Sequence, residues 1–278
     1  MQSARPTLAA YNTVERMLRG DFFHTTHWHE VAADLARYPS EWPIAGIGTT
    51  NWYRRNGETI VTGTAGSPEV LWTDPAGDDP MEVIDLLKDE PSTEGPKLVN
   101  PDALDGDSAM AFPFLALGVC DPATVLEWEI GSTEDLHAWI RKKLEEENIG
   151  LAAVRVEGEC CYVHFSAAFY LPLEGLNLEG GYAASHNMKL AEFYDRRWNI
   201  GGIYAANPTL QRIISVEGLP LHLHGVETRS RHGGHIIKLR TEGAEVKVWP
   251  LKDLVMRIRN LDHTWLPVRN VGRPGDVE

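Results

Sequence analysis

The stretch from Gly218 to Arg240, G-L-P-L-H-L-H-G-V-E-T-R-S-R-H-G-G-H-I-I-K-L-R, constrains this chain more than any other. Its apolar residues Leu221 and Leu223 alternate with His222 and His224, and Val226 follows, the period-2 signature of a strand. Residues two apart on a strand point to the same side, so the two imidazoles share one face. Glu227 to Gly234 is charged and glycine-bearing, which predicts a hairpin loop. His235-Ile236-Ile237-Lys238-Leu239 then predicts the returning strand. If the two strands pair, His235 comes close to the first two histidines. Three neutral imidazoles on rigid strands, with one coordination position left open, suit Zn2+ or another divalent transition metal.

Other histidines do not offer the same arrangement. His24, His27 and His29 lie where a loop runs into a helix, and there residues two apart diverge. No ligation is expected of them. Cys120, Cys160 and Cys161 have no C-x-x-C spacing, so neither a structural zinc site nor a disulfide framework is indicated.

The histidine pattern, with His235 eleven residues after His224, resembles the metal-binding hairpin of the acetolactate decarboxylase family. Three further segments resemble that family in the same order. They are Gly46-Ile47-Gly48-Thr49 with Asn56-Gly57-Glu58, then Asn148 to Gly158 containing Ala153-Val154-Arg155-Val156-Glu157-Gly158, then Pro208 to Gly218. The resemblance runs over roughly residues 10 to 258. It implies an α+β, mainly β fold of two β-subdomains, one an extended mixed sheet and the other a small β-barrel carrying the metal.

In that family, as the resemblance implies, the metal works with a glutamate, an arginine and a second glutamate near the C-terminus. Counting from the matched segments puts these near Ala65, Ser166 and Arg257, and none has the expected charge. Glu69 is then a substitute acid, and His164 and Ser166 are candidates at the arginine's place. Arg257 becomes a candidate for holding a substrate carboxylate beside the metal. Ala205, Ala206 and Asn207 stand where aromatic residues are expected, which widens the pocket.

The implied chemistry is metal-stabilised enolate formation on a small oxo- or hydroxy-acid. Decarboxylation is one form; related C–C cleavage, isomerisation or cyclisation are others. Acetolactate itself is not the expected substrate. Three alternatives stay open: acetolactate decarboxylation by relocated groups, a metal-dependent hydrolase with Glu69 or Glu227 as base, and a protein that binds metal and organic anion without turnover.

Composition excludes some partners. Twenty-six basic against forty acidic residues give a formal charge of −14, which disfavours nucleic acid and anionic membrane surfaces. The N-terminus lacks an apolar signal region and there is no long apolar run, so a cytoplasmic location is expected. The expected partners are a small organic-acid substrate and, for assembly, a second copy as homodimer.

Along the chain, residues 1–10 are expected to be a flexible tail and 11–130 a β-rich subdomain with an acidic loop at 74–108. Residues 131–260 should form a helix plus the metal-bearing barrel, with a tail at 261–278. A short helix is predicted at Met81 to Lys88, a hairpin turning through Glu157-Gly158, and a strand at Ile213 to Val216. Ser132, ahead of Glu134 and Asp135, is the predicted N-cap of the one long helix.

Overall fold

The computed structural model describes residues 4–18, 25–52, 55–73, 83–85, 110–169, 188–215 and 218–257. The chain begins with β1 (Thr7–Tyr11), α1 (Val14–Leu18), β2 (Thr26–His27) and α2 (Trp28–Leu35). It continues through β3 (Ile44–Trp52), β4 (Arg55–Thr64), β5 (Ser67–Thr73), β6 (Val83–Asp85) and β7 (Met110–Val119). A 3-10 turn at Pro122–Thr124 precedes β8 (Leu126–Ile130), α3 (Leu136–Glu146), β9 (Leu151–Cys160), β10 (Tyr162–Phe169) and β11 (Met188–Phe193). Then come β12 (Arg196–Ala205), α4 (Pro208–Ile214), β13 (Leu221–Glu227), β14 (Gly233–Arg240), β15 (Gly243–Pro250) and β16 (Asp253–Arg257).

These strands make two sheets. The first runs β16-β1-β7-β3-β4-β5-β6 with β2 added against β7, and it is mixed, because β1 and β16 pair in parallel. The second runs β11-β10-β14-β13-β12-β9-β15-β8. Its described pairings form an open path rather than the closed ring of a barrel. The fold is mainly β, with two sheets and short helices.

Strand alternation explains how the layers stack. Ala45, Ile47, Phe114 and Ala116 on the first sheet meet Ala153, Ile203, Ala205 and Trp249 on the second. The first sheet's far side packs Leu115, Leu117 and Val119 against Val31 and Leu35 of α2. On the second sheet's far side, Val154, Val156, Leu221 and Leu223 join Leu136, Ile140 and Leu144 of α3 in one cluster. Arg155 of β9 ties the sheets across their interface: its Nη2 donates to the carbonyls of Ile44 and, at 2.6 Å, of Gly63.

Several expectations are corrected. Thr7–Tyr11 is a fully buried strand, so the tail does not extend to residue 10; the apolar Leu8, Ala9 and Ala10 give it a core to join. β8 belongs to the second sheet and β16 to the first, so the chain changes sheets near residue 125 and again after residue 250. Residues 83–85 are a strand, not part of a helix, and the remainder of the acidic stretch lies outside the described residues, as does the tail at 261–278. Ile213 lies in the last turn of a helix instead of opening a strand, because Asn207 accepts from Thr209 N at 2.8 Å and Pro208 takes the first turn. The long helix is capped by Asp135 rather than Ser132, through Ala138 N at 2.9 Å.

β9 and β10 do not form a hairpin. β9 runs straight through Glu157 and Gly158 to pair with β12 and β15, whereas β10 pairs with β11 and β14. Gly158 marks a close approach: a Cβ there would collide with the Gly243 carbonyl oxygen and with Ala244. Gly158→Ala should therefore lower unfolding free energy by about 1–3 kcal/mol in urea denaturation. A glycine serving only as an exposed turn would lose almost nothing.

Candidate metal centre

The three histidines of the hairpin converge. Their ligand nitrogens lie within 4.8 Å of one another, and ring centroids are 4.8, 4.8 and 5.5 Å apart. β13 and β14 are paired over only three rungs, His224–His235, Gly225–Gly234 and Val226–Gly233. His224 and His235 thus sit opposite each other, and His222 lies two residues beyond the last rung, on the same face.

Two rings are fixed by backbone carbonyls. His222 Nδ1 is 2.7 Å from the Ile214 oxygen at the end of α4, and His224 Nδ1 is 2.8 Å from the Thr59 oxygen on β4 of the other sheet. A carbonyl only accepts, so Nδ1 of each must carry the proton and donate it. That leaves Nε2 as a bare lone pair on both, and these two atoms are 3.0 Å apart. Two lone pairs facing each other at that distance suit a shared cation, since a tetrahedral zinc ion with bonds of about 2.0–2.1 Å separates its ligand atoms by roughly 3.3 Å.

Burial keeps the rings neutral. It pushes His222 down to about 4, and it holds His235 and His224 well below the ordinary histidine value. The neighbouring rings add to the effect on His224. His137 on α3 contributes a smaller lowering to His222 and His235. His224 is enclosed, whereas His222 and His235 keep an exposed edge from which the cluster can be reached.

Among the described residues, one carboxyl faces this cluster. Glu58 on β4 is buried, and its Oε2 is 3.4 Å from His224 Nε2. Burial raises it to about 8. The sequence count put an acid near Ala65, but Ala65 lies in the turn after β4, in the cluster with α2 on the first sheet's far side. Glu58 instead belongs to the Asn56-Gly57-Glu58 segment, seven residues earlier. The signal was there: strand alternation puts Glu58 on the same face as the core residue Ile60.

The other candidates fall in different places. Ser166 on β10 is buried and pairs directly with His235, so it is beside the cluster. His164 lies two residues along, past a bulge, opposite Lys238 and Glu192. Glu69 pairs with Thr62, whose hydroxyl donates to its Oε2 at 3.2 Å, and it lines a groove of about 200 Å³ with Arg155 and Glu157. Thr62 is four residues from Glu58 on one strand, roughly 13 Å away. Glu227 points to the opposite face from His224 and caps the hairpin turn by accepting from the Ser230 backbone and hydroxyl.

Arg257 is nowhere near the cluster. The register runs Arg257, Tyr11, Leu115, Gly48, Thr59 across neighbouring strands of the first sheet. Four spacings of about 4.8 Å put it roughly 19 Å from the segment holding His224. There it makes a two-pronged pair with Asp34, at 2.9 and 3.1 Å, and Tyr11 donates to the same carboxylate. Its positive charge is consumed on the first sheet's far side, which corrects its expected role beside the metal. In the second histidine cluster, His24 lies outside the described residues, while His27 and His29 stack at 5.8 Å and the His27 backbone donates to Glu30.

The arrangement of the two sheets has known counterparts. No curated protein sequence matches the chain. Alpha-acetolactate decarboxylase from Bacillus subtilis strain 168 shares the fold, with 16% identity and a TM-score of 0.63 over 95% of this chain and 94% of that one. A Staphylococcus aureus protein of unknown function, similar to alpha-acetolactate decarboxylase, does so with 16% identity and a TM-score of 0.61 over 90% and 88%. No helix among the described residues is long and apolar enough to cross a membrane. The alpha-acetolactate decarboxylase family matches residues 101–265, which takes in the whole histidine hairpin and more than half of the chain, and the protein belongs to that family.

Proposed function

We propose that the protein is a metal-dependent carbon–carbon lyase acting on a small oxo- or hydroxy-acid other than acetolactate. The observation that carries this reading is the meeting of three neutral imidazoles, two with Nδ1 committed to backbone carbonyls, beside the buried carboxyl of Glu58. His222, His224 and His235 would hold one divalent ion, zinc or a close relative. When bound, such an ion polarises a carbonyl or hydroxyl oxygen of the substrate, so that negative charge developing at the adjacent carbon spreads onto oxygen.

The chain's own groups supply the rest. Glu58 is the proton carrier. Held protonated near neutrality by burial, it can deliver a proton to the carbon that has lost its carboxyl group. A neighbouring cation lowers its value again, toward the pH at which the reaction runs, where proton transfer is most effective. The enclosure of Glu58 and His224 keeps bulk water from delivering that proton at random. Ser166 offers a hydroxyl to hydrogen-bond a substrate oxygen, but no charge to pair with a carboxylate. That supports a substrate different from acetolactate, and it is also what favours the second reading, a protein that binds metal and organic anion without turnover.

The test is a panel of oxo- and hydroxy-acids given to metal-loaded protein, with carbon dioxide release and calorimetric binding read in parallel. Turnover of at least one acid is expected. Binding without turnover across the panel would replace the lyase with the second reading. Acetolactate should yield little or no acetoin; conversion at a rate on the order of 10 s⁻¹ would show that Ser166 is no obstacle.

Metal content gives a simpler check. Single alanine replacements of His222, His224 and His235 should each deplete the metal measured in purified protein while circular dichroism stays native. Full retention in all three variants would end the metal assignment.

Glu58→Gln should keep the metal and lower turnover by about 10²–10⁴-fold. It should also act on the metal-free protein. The folded-state value of Glu58 lies above its unfolded value, so its contribution is intact below 4.5 and is lost as pH rises through about 8. His222 has the opposite sign, losing stability as pH falls from 6.5 through about 4. Above pH 6.5 Glu58 acts without that opposition, and the decline in stability up to pH 8 should flatten in Glu58→Gln. An unchanged slope would mean that Glu58 is already charged there.

A further inference from the structure

His222 is the metal-ligand candidate with the least support from its own sheet, since it lies beyond the last rung between β13 and β14. Its ring is held instead by one hydrogen bond to the Ile214 carbonyl, the last residue of α4. What fixes that carbonyl therefore fixes the ring. α4 is only seven residues long, too short to be stable by itself. Its two buried residues are Ile214 and, unusually for so small a helix, a glutamine, Gln211.

A buried amide is costly unless its donors and acceptor are all used. Those of Gln211 are used on both sides of the helix. Its Nε2 donates back to the carbonyls of Ala205 and Ala206, at 3.1 and 3.3 Å, where β12 ends. Its Oε1 accepts from the backbone of Gly218 at 3.2 Å, ahead of β13. Gly218 has φ +89°, a conformation open to glycine, and so can turn its N–H back toward the helix. One side chain thus joins the chain entering α4 to the chain leaving it. The Gln211 backbone carbonyl also accepts from Ser215, immediately after Ile214.

We propose that Gln211 is the positioning residue for His222, acting through the Ile214 carbonyl to keep the ring in its Nδ1–H form with Nε2 turned toward His224. The proposal rests on the reading of His222 as a metal ligand, yet its structural half can be examined without any metal. In a folded protein lacking the Gln211 amide, the turn from α4 into β13 loses its brace. The Ile214 carbonyl can then swing away, and His222 is free to exchange tautomers.

The experiment compares wild type with Gln211→Leu and Gln211→Glu, the latter keeping the acceptor for Gly218 but losing the donor. Long-range proton–nitrogen NMR of the metal-free proteins reads the His222 tautomer. Titration with Zn2+ and Co2+ reads affinity, and the visible spectrum of bound Co2+ reads ligand number. Wild type should show His222 as Nδ1–H, and both variants a mixture with Nε2–H. Zn2+ affinity should fall by about 10–100-fold, the usual effect of removing an outer partner of a ligating histidine. The Co2+ spectrum should shift toward lower ligand number.

A wild-type tautomer retained in a folded variant, with unchanged metal affinity, overturns the proposal. Failure of both variants to fold also overturns it, by assigning Gln211 to the fold alone. A wild type that binds neither ion defeats the metal reading above, while the tautomer comparison still decides the role of Gln211.

Discussion

The hydrogen bond from His224 Nδ1 to the Thr59 carbonyl crosses from one sheet to the other, and the centre depends on it. His224 is carried by β13 of the second sheet. Its proton is committed by Thr59 on β4 of the first, and Glu58 is the residue just before it. The local hairpin brings two histidines together, but the acid and the tautomer arrive only when the sheets pack. Chemistry and tertiary structure are therefore coupled: an unfolded or half-folded chain has the ligands but not the site.

Electrostatics inside that interface differ from those of the chain as a whole. The protein carries a formal charge of −14, yet the cluster contains three rings kept neutral and a carboxyl biased toward its neutral form. Each deviation has the same cause, loss of water. A cation placed among them would meet neutral rings and a carboxyl that it draws toward its charged form. Proteins commonly balance such a cation with anionic ligands, and here Glu58 is the group closest to doing so. Elsewhere charges are paired at a distance from the centre, as Arg257 is with Asp34.

The hairpin and its histidines were legible because period-2 patterning is local. The errors have a different origin. Glu157-Gly158 looks like a turn in sequence, but its glycine answers to Ala244 and Gly243 on a strand distant in the chain. Ile213 to Val216 looks like a strand, and Asn207-Pro208 converted it to a helix end, a capping signal that was present and outweighed by β-branched residues. Arg257 was placed at the site by counting along a segment, whereas its strand leaves the second sheet altogether. Counting along the segment points to Ala65 in the following turn, seven residues past the acid that the packing of the sheets selects, Glu58. Register and sheet membership are long-range properties, and no local pattern encodes them.

The parallel pairing of β1 with β16 has a consequence for how the molecule is made. Thr7 meets Asp253, so the contact spans nearly the whole described chain. During synthesis from the N-terminus, the second sheet's strands are all available once β15 has emerged, but β1 must wait for β16 to complete its outer side. Loop closure over such a separation is slow compared with forming neighbouring hairpins. In that interval the outer side of β1 is an unpaired strand edge, the kind of surface that recruits other chains. The final strand thus acts as a seal on the first sheet, and the most vulnerable stage of this protein's life falls just before that seal is applied.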